Sequence, residues 1–198
     1  DEEAIKISIK KINSDKVSYQ IVDVGNYENI EKNLTEIEKS HKKIDIFINN
    51  AGVYGPRDSS FNNVDEKNWI PVFQTNAIAP LLLTQLIIDN LRNGSQKKLI
   101  YITSKMGSID DNKSGGAYIY RSSKTALNSV VKSISVDLAK DDMKVALLHP
   151  GWVRTDMGGP NGLIDTSTSV SGMIEVIDSL SQADSGCFFN YDGSKIPW

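Results

Sequence analysis

Four short apolar runs, at residues 44–48, 98–103, 144–148 and 187–189, are each separated from the next by a stretch long enough to hold a helix. Runs this short with apolar side chains at nearly every position suit strands buried on both faces, which is the signature of a parallel sheet. Parallel neighbours also need a long crossover between them, usually a helix. A fifth run at 17–24, Val-Ser-Tyr-Gln-Ile-Val-Asp-Val, reads as one more strand. Helices are expected over 28–41, from an N-cap at Asp65 to about Leu91 with an interruption at Pro71, from Tyr120 to about Lys140, and over 170–180. Residues 1–13 are ambiguous: Ile5, Ile7 and Ile9 alternate, whereas Ile5, Ile9 and Ile12 have helical spacing. The pattern predicts an α/β fold: a doubly wound parallel sheet, three layers deep, in one domain spanning residues 1–198.

Composition narrows the function. The 198 residues carry a formal charge of −3, so no basic footprint points to nucleic acid or an anionic membrane. No apolar run is expected to reach membrane-spanning length, and the start does not resemble a signal peptide. Cys187 is the one cysteine, which rules out an intrachain disulfide and fits a reducing, cytoplasmic setting. With two distant histidines, His41 and His149, and a single cysteine, no metal site is expected.

Ligands of open parallel sheets bind beyond the carboxyl ends of the strands, and the unusual residues of this chain cluster there. Asn49-Asn50-Ala51-Gly52 follows the 44–48 run, Ser104 follows 98–103, His149-Pro150-Gly151-Trp152-Val153-Arg154-Thr155 follows 144–148, and Asp23 lies at the end of 17–24. Each taken alone is also ordinary turn chemistry. Tyr120 and Lys124 stand four apart at the start of a helix whose Leu127, Val131, Ile134 and Leu138 mark its buried stripe, so phenol and ammonium share a face. A cation that close favours phenolate, which suits an acid–base for carbonyl and alcohol chemistry; equally, the lysine can simply snorkel to water. Pro80 has no N–H to give the Asn76 carbonyl four residues back, so a kink is expected there, with that oxygen free for water.

Asn49-Asn50-Ala51-Gly52, Asn76, Ser104, Tyr120-x-x-x-Lys124 and Pro150-Gly151 occur in the order of the short-chain dehydrogenase/reductase family, and the chain resembles that family over nearly its whole length. Tyr54-Gly55-Pro56-Arg57, the run from Leu148 to Gly159 and the ending Tyr191 to Trp198 resemble its C-factor/sniffer-type branch, which includes carbonyl reductases. The resemblance implies a Rossmann-like fold and an NAD(P)(H)-dependent enzyme interconverting a carbonyl and an alcohol. It implies Tyr120 as general acid–base, Lys124 as the residue lowering the Tyr120 pKa and binding the nicotinamide ribose, Ser104 as donor to the substrate oxygen, and Asn76 as holder of a relay water. By the same resemblance Asp23 and Val24 would contact adenine, Asn50, Ala51 and Gly52 would line the adenosine side, and Pro150, Gly151, Val153 and Thr155 would border the nicotinamide. NADP(H) is favoured over NAD(H), the substrate is a small carbonyl or alcohol chosen by loops 53–63, 109–116 and 157–168, and assembly into a homodimer or homotetramer is implied.

One departure stands out. The family opens with a strand, a glycine-rich turn and a helix that holds the pyrophosphate; no G-x-G-x-x-G or Thr-Gly-x-x-x-Gly run occurs in this sequence. The first βαβ unit is therefore expected to be missing. Either the polypeptide is longer or is a fragment, or it is a non-catalytic signalling or dinucleotide-sensing protein that keeps the fold.

Overall fold

A computed structural model describes residues 2–198, and all side chains among them except those at 34, 36, 37 and 38. Its centre is a four-stranded sheet of β1 (Ile46–Asn49), β2 (Lys98–Ile102), β3 (Lys144–His149) and β4 (Cys187–Asn190), in that spatial order with every neighbouring pair parallel. All four runs form strands because each finds a partner in register: Phe47 lies beside Leu99, Leu99 beside Val145, and Leu147 beside Phe188.

The helices are α1 (Glu2–Ile12), α2 (Tyr27–Ser40), α3 (Glu66–Phe73), α4 (Ala79–Arg92), α5 (Tyr118–Asp137) and α6 (Thr166–Ser179). Period-2 alternation divides the core into two layers. Leu99, Tyr101, Val145 and Leu147 face one way, against Leu83, Ile87 and Leu91 of α4 and Leu127, Val131 and Ile134 of α5. Ile100, Ala146 and Leu148 face the other way, against Val176 and Ile177 of α6. Helices therefore cover both faces of the sheet, as the sequence predicts.

Three expectations are corrected. Residues 17–24 form no strand. A strand exists only where a neighbour accepts its ladder, and among the described residues nothing pairs with this segment or with the outer edge of β1. Val22 and Val24 instead pack onto the core, and Asn29 Oδ1 accepts the Asp23 N–H at 2.7 Å. Pro71 sits inside α3 without ending it; the irregularity is a π-helical turn at Gln74–Ile78, where Ala79 N–H reaches the Gln74 carbonyl five residues back. Pro80 explains the wider turn: with no N–H and a bulky ring, it cannot close α-helical spacing onto Asn76. Finally, Glu66–Arg92 is long and apolar enough to cross a membrane by length and composition; here Val72, Ala77, Leu83, Ile87 and Leu91 are buried against the rest of the protein.

The ambiguous first residues form α1, which buries no side chain and leaves Ile7 and Ile12 about half exposed. Asp65 caps α3 as expected, accepting the Lys67 N–H at 2.9 Å.

Candidate active site

The carboxyl ends of β1, β2 and β3 open onto a cavity of about 660 Å³. Ser104, just past β2, and Tyr120, in the first turn of α5, both line it. So do Asn50 beyond β1 and Pro150, Gly151, Val153 and Thr155 beyond β3. Four separate segments are thus brought together by the strand ends, as the sheet rule requires.

Local chemistry fixes each group. Ser104 begins a 3-10 turn, Lys105–Gly107, and its Oγ accepts the Met106 N–H at 3.2 Å. That bond places the oxygen and leaves its proton to donate. The turn is tied to α5 through the Gly107 carbonyl, which accepts from Thr125 Oγ1 at 2.9 Å and Asn128 Nδ2 at 3.2 Å. Ala117, immediately before α5, has φ 48°, a left-handed conformation that costs an L-residue about 1–2 kcal/mol. Gly151 has φ +83°, and a Cβ there would lie 2.7 Å from Ile164 Cδ1, so only glycine fits the turn out of β3.

Tyr120 and Lys124 are both buried, on one side of α5, with the lysine Nζ 5.9 Å from the centre of the phenol ring. Lys124 donates one hydrogen bond among the described residues, to the Ile102 carbonyl at 3.1 Å. Burial lowers its pKa to about 8. The expected lowering of the Tyr120 pKa is not seen. Burial holds the phenol above its ordinary value; the hydrogen bond with Ser104 pulls it down, and the neighbouring Tyr54 phenol pushes it up. Desolvation sets the direction, and the ammonium 5.9 Å from the ring centre does not reverse it.

Asn76 is fully buried in the π turn, and its side chain is saturated. Nδ2 donates to the Val53 carbonyl at 2.8 Å and to Ser123 Oγ at 3.0 Å, while Oδ1 accepts the Val53 N–H at 2.8 Å. It thereby fastens the strand-end loop to α5. Gly52 is beside it: a Cβ there would stand 3.3 Å from both Asn76 Oδ1 and Lys124 Nζ. Ala51 is exposed, and neither it nor Gly52, Asn76 or Lys124 lines the main cavity. Asp23 and Val24 lie outside it as well. The Asp23 carboxylate accepts the Gly25 N–H at 3.0 Å, and Gly25 approaches Thr75 of the π turn.

Tyr54, Arg57 and His149 are among the lining residues given no site role from sequence. Tyr54 stacks on Tyr120, centres 4.5 Å apart and planes at 24°. Arg57 lies over the other partner of that stack, its Cζ 5.0 Å from the Tyr54 ring. Their signal was the Tyr54-Gly55-Pro56-Arg57 run, read only as a mark of kinship. His149 faces the cavity with its Nδ1 buried and unbonded among the described residues, and burial lowers its pKa to about 4, so the ring is neutral near pH 7. No group of three or more His, Cys, Asp or Glu side chains that could hold a metal occurs among the described residues. Ser108 is buried and bonds the Trp198 carbonyl at 3.3 Å, away from Tyr120.

The sequence pattern described as short chain dehydrogenase matches residues 1–163. C-signal of Myxococcus xanthus is 45% identical over 155 residues, 78% of this chain and 93% of that one. Among solved structures, the carbonyl reductase Sniffer of D. melanogaster superposes with a TM-score of 0.91 at 30% identity, covering 100% of this chain and 84% of that chain. The NADPH-bound carbonyl reductase from chicken fatty liver does so with 0.88 at 32% identity, covering 100% and 82%. With that pattern over residues 1–163 and a 45% identical relative covering most of both chains, the chain belongs to the short-chain dehydrogenase/reductase family of oxidoreductases.

Proposed function

We propose that this protein interconverts a carbonyl and an alcohol, with NADP(H) as redox partner and Tyr120 as acid–base. The observation that carries the reading is Tyr120 and Ser104 sharing one cavity wall, with Lys124 buried behind them. A nicotinamide dinucleotide fits part of this setting. The Lys124 ammonium, with one protein acceptor, has protons left for ribose hydroxyls, and the Gly52 position leaves space beside it. Gly151, Val153 and Thr155 border the cavity where the nicotinamide would lie, and Asp23 and Val24 would contact adenine. Asn50, Ala51 and Gly52 would line the groove between. No glycine-rich turn for the pyrophosphate occurs among the described residues. NADP(H) is preferred to NAD(H) because the chicken carbonyl reductase holds NADPH.

The dinucleotide supplies the hydride; the protein supplies position and the proton. In reduction Ser104 donates a hydrogen bond to the substrate oxygen, where negative charge develops. Tyr120 then delivers its proton to that oxygen. Its raised pKa keeps it protonated at neutral pH, the form this step requires. Lys124 and a water at the Asn76 main chain return the proton from solvent. Tyr120→Phe should lower turnover at least ~100-fold, the scale of a positioned acid–base, with NADPH binding, read by fluorescence, nearly unchanged; carbonyl reduction that survived this change would refute the mechanism.

A second reading has its own support: the relative from Myxococcus xanthus is named for a signal, not a reaction. In that reading the fold is kept for signalling or dinucleotide sensing. Protein that binds NADPH without reducing aldehydes would favour sensing, and protein that does neither would favour signalling.

A further inference from the structure

Arg57 is a cation at the rim of a cavity that no carboxylate side chain lines. The other charged lining residue, Lys105, is already paired with Asp111 at 3.1 Å. Among the described residues Arg57 has no carboxylate within ion-pair distance. The acidic residues near it in sequence are otherwise engaged or offer something else: Asp58 accepts from Asn63 at 2.7 Å, and Asp156 presents its main-chain carbonyl, which accepts from Arg57 Nη2 at 3.1 Å. His149 adds a neutral ring.

The guanidinium is also held in place. It lies over the Tyr54 ring, which in turn lies on Tyr120, and its bond to Asp156 ties the 53–63 loop to the loop beyond β3. Those two stacking distances, 5.0 and 4.5 Å, keep it no farther from the Tyr120 ring than the two laid end to end. The walls of the cavity that both groups line are largely apolar, with Met106, Trp152, Val153 and Met157.

We propose that the substrate is a carbonyl compound that also carries a carboxylate, the two joined by a short apolar spacer, with Arg57 binding the carboxylate. This rests on the carbonyl/alcohol reading and names its substrate class. A guanidinium accepts a carboxylate through two parallel N–H bonds. With one Nη2 N–H given to Asp156, the second Nη2 N–H and an N–H of Nη1 remain for such a fork. Tyr54 transmits the placement: an anion drawn to Arg57 lies along a ring stacked on the proton donor.

Para-carboxybenzaldehyde and its methyl ester test this, because they differ in charge and share the reacting group. Full-length protein with NADPH should favour the acid over the ester by about fivefold in kcat/KM, carried by KM, the upper range for an ion pair at an exposed arginine. Arg57→Gln, which can still bond the Asp156 carbonyl, should bring the acid-to-ester ratio to near one; Arg57→Lys should retain part of the preference. Merely structural damage would depress both substrates alike and leave the ratio unmoved. A ratio near one in the wild type, or one unchanged in Arg57→Gln, overturns the proposal. A second readout separates it from the parent reading: quenching of tryptophan fluorescence, with Trp152 in the cavity wall, by para-(hydroxymethyl)benzoate and by its methyl ester. Quenching by the acid alone, abolished in Arg57→Gln, upholds the anion site even where neither aldehyde turns over. Equal reduction of both aldehydes with no charge-selective quenching upholds the oxidoreductase and removes the anion site.

Discussion

Lys124→Met should make the protein more stable and abolish its activity. The lysine is 4% exposed, and burial alone lowers its pKa from 10.5 to about 8. At about 1.4 kcal/mol per tenfold change in proton affinity, holding the ammonium in the fold costs about 3 kcal/mol at neutral pH. Methionine fills a similar volume without a charge. It forfeits the bond to the Ile102 carbonyl, worth about 1–2 kcal/mol, so the net gain expected at pH 7 is about 1–2 kcal/mol. The sign follows from proton linkage. The native pKa lies below the unfolded one, so between about pH 8 and 10.5 the unfolded chain binds more protons and wild-type stability rises with pH. The advantage of the variant should shrink across that window, pass through zero within it and reverse by about 1–2 kcal/mol at its upper end, where only the lost hydrogen bond remains. Urea unfolding of both proteins at several pH values measures this. A variant less stable than wild type at pH 7, or a difference flat across the window, would refute the claim that a desolvated ammonium is kept for function.

Two further perturbations probe the scaffold. Asn76→Ala removes three hydrogen bonds and leaves Val53 groups unpaired, and should cost about 2–4 kcal/mol by denaturant unfolding, with a matching loss of turnover if the 50–53 segment positions the dinucleotide. Gly151→Ala puts a Cβ 2.7 Å from Ile164 Cδ1 at φ +83°, and should lower stability by about 1–3 kcal/mol and narrow the cavity, seen as a raised KM for bulky aldehydes.

Much of the sheet was legible because a buried parallel strand leaves little freedom in residue type. The runs at 44–48, 98–103, 144–148 and 187–189 all pair. The run at 17–24 also looks like a strand and fails to form one, since composition records what a segment is able to do and pairing depends on a neighbour elsewhere in the chain. Tyr120, Lys124 and Ser104 were legible from spacing and from position at strand ends. The direction of the Tyr120 pKa was not: helical spacing reveals the nearby cation, whereas the shift is decided mainly by how much water the fold removes from the phenol. Tyr54 and Arg57 lie in a loop, where no periodicity constrains direction, so their stacking on the proton donor became visible only in three dimensions.

The π turn at Gln74–Ile78 bears on how this helix tolerates change in length. It accommodates one residue more than regular winding would, and that surplus lets Asn76 reach Val53 while Leu83, Ile87 and Leu91 still meet the sheet. Deleting one residue there would let the coil tighten into ordinary winding with the flanking turns close to their present phase, whereas deleting one from the regular turns of α4 would swing everything upstream by about 100° relative to everything downstream. The first change would displace the amide, which sits in the wider turn itself, and leave the leucines on the sheet. A gap at this point in a related sequence would therefore mark a protein without the Asn76–Val53 anchorage.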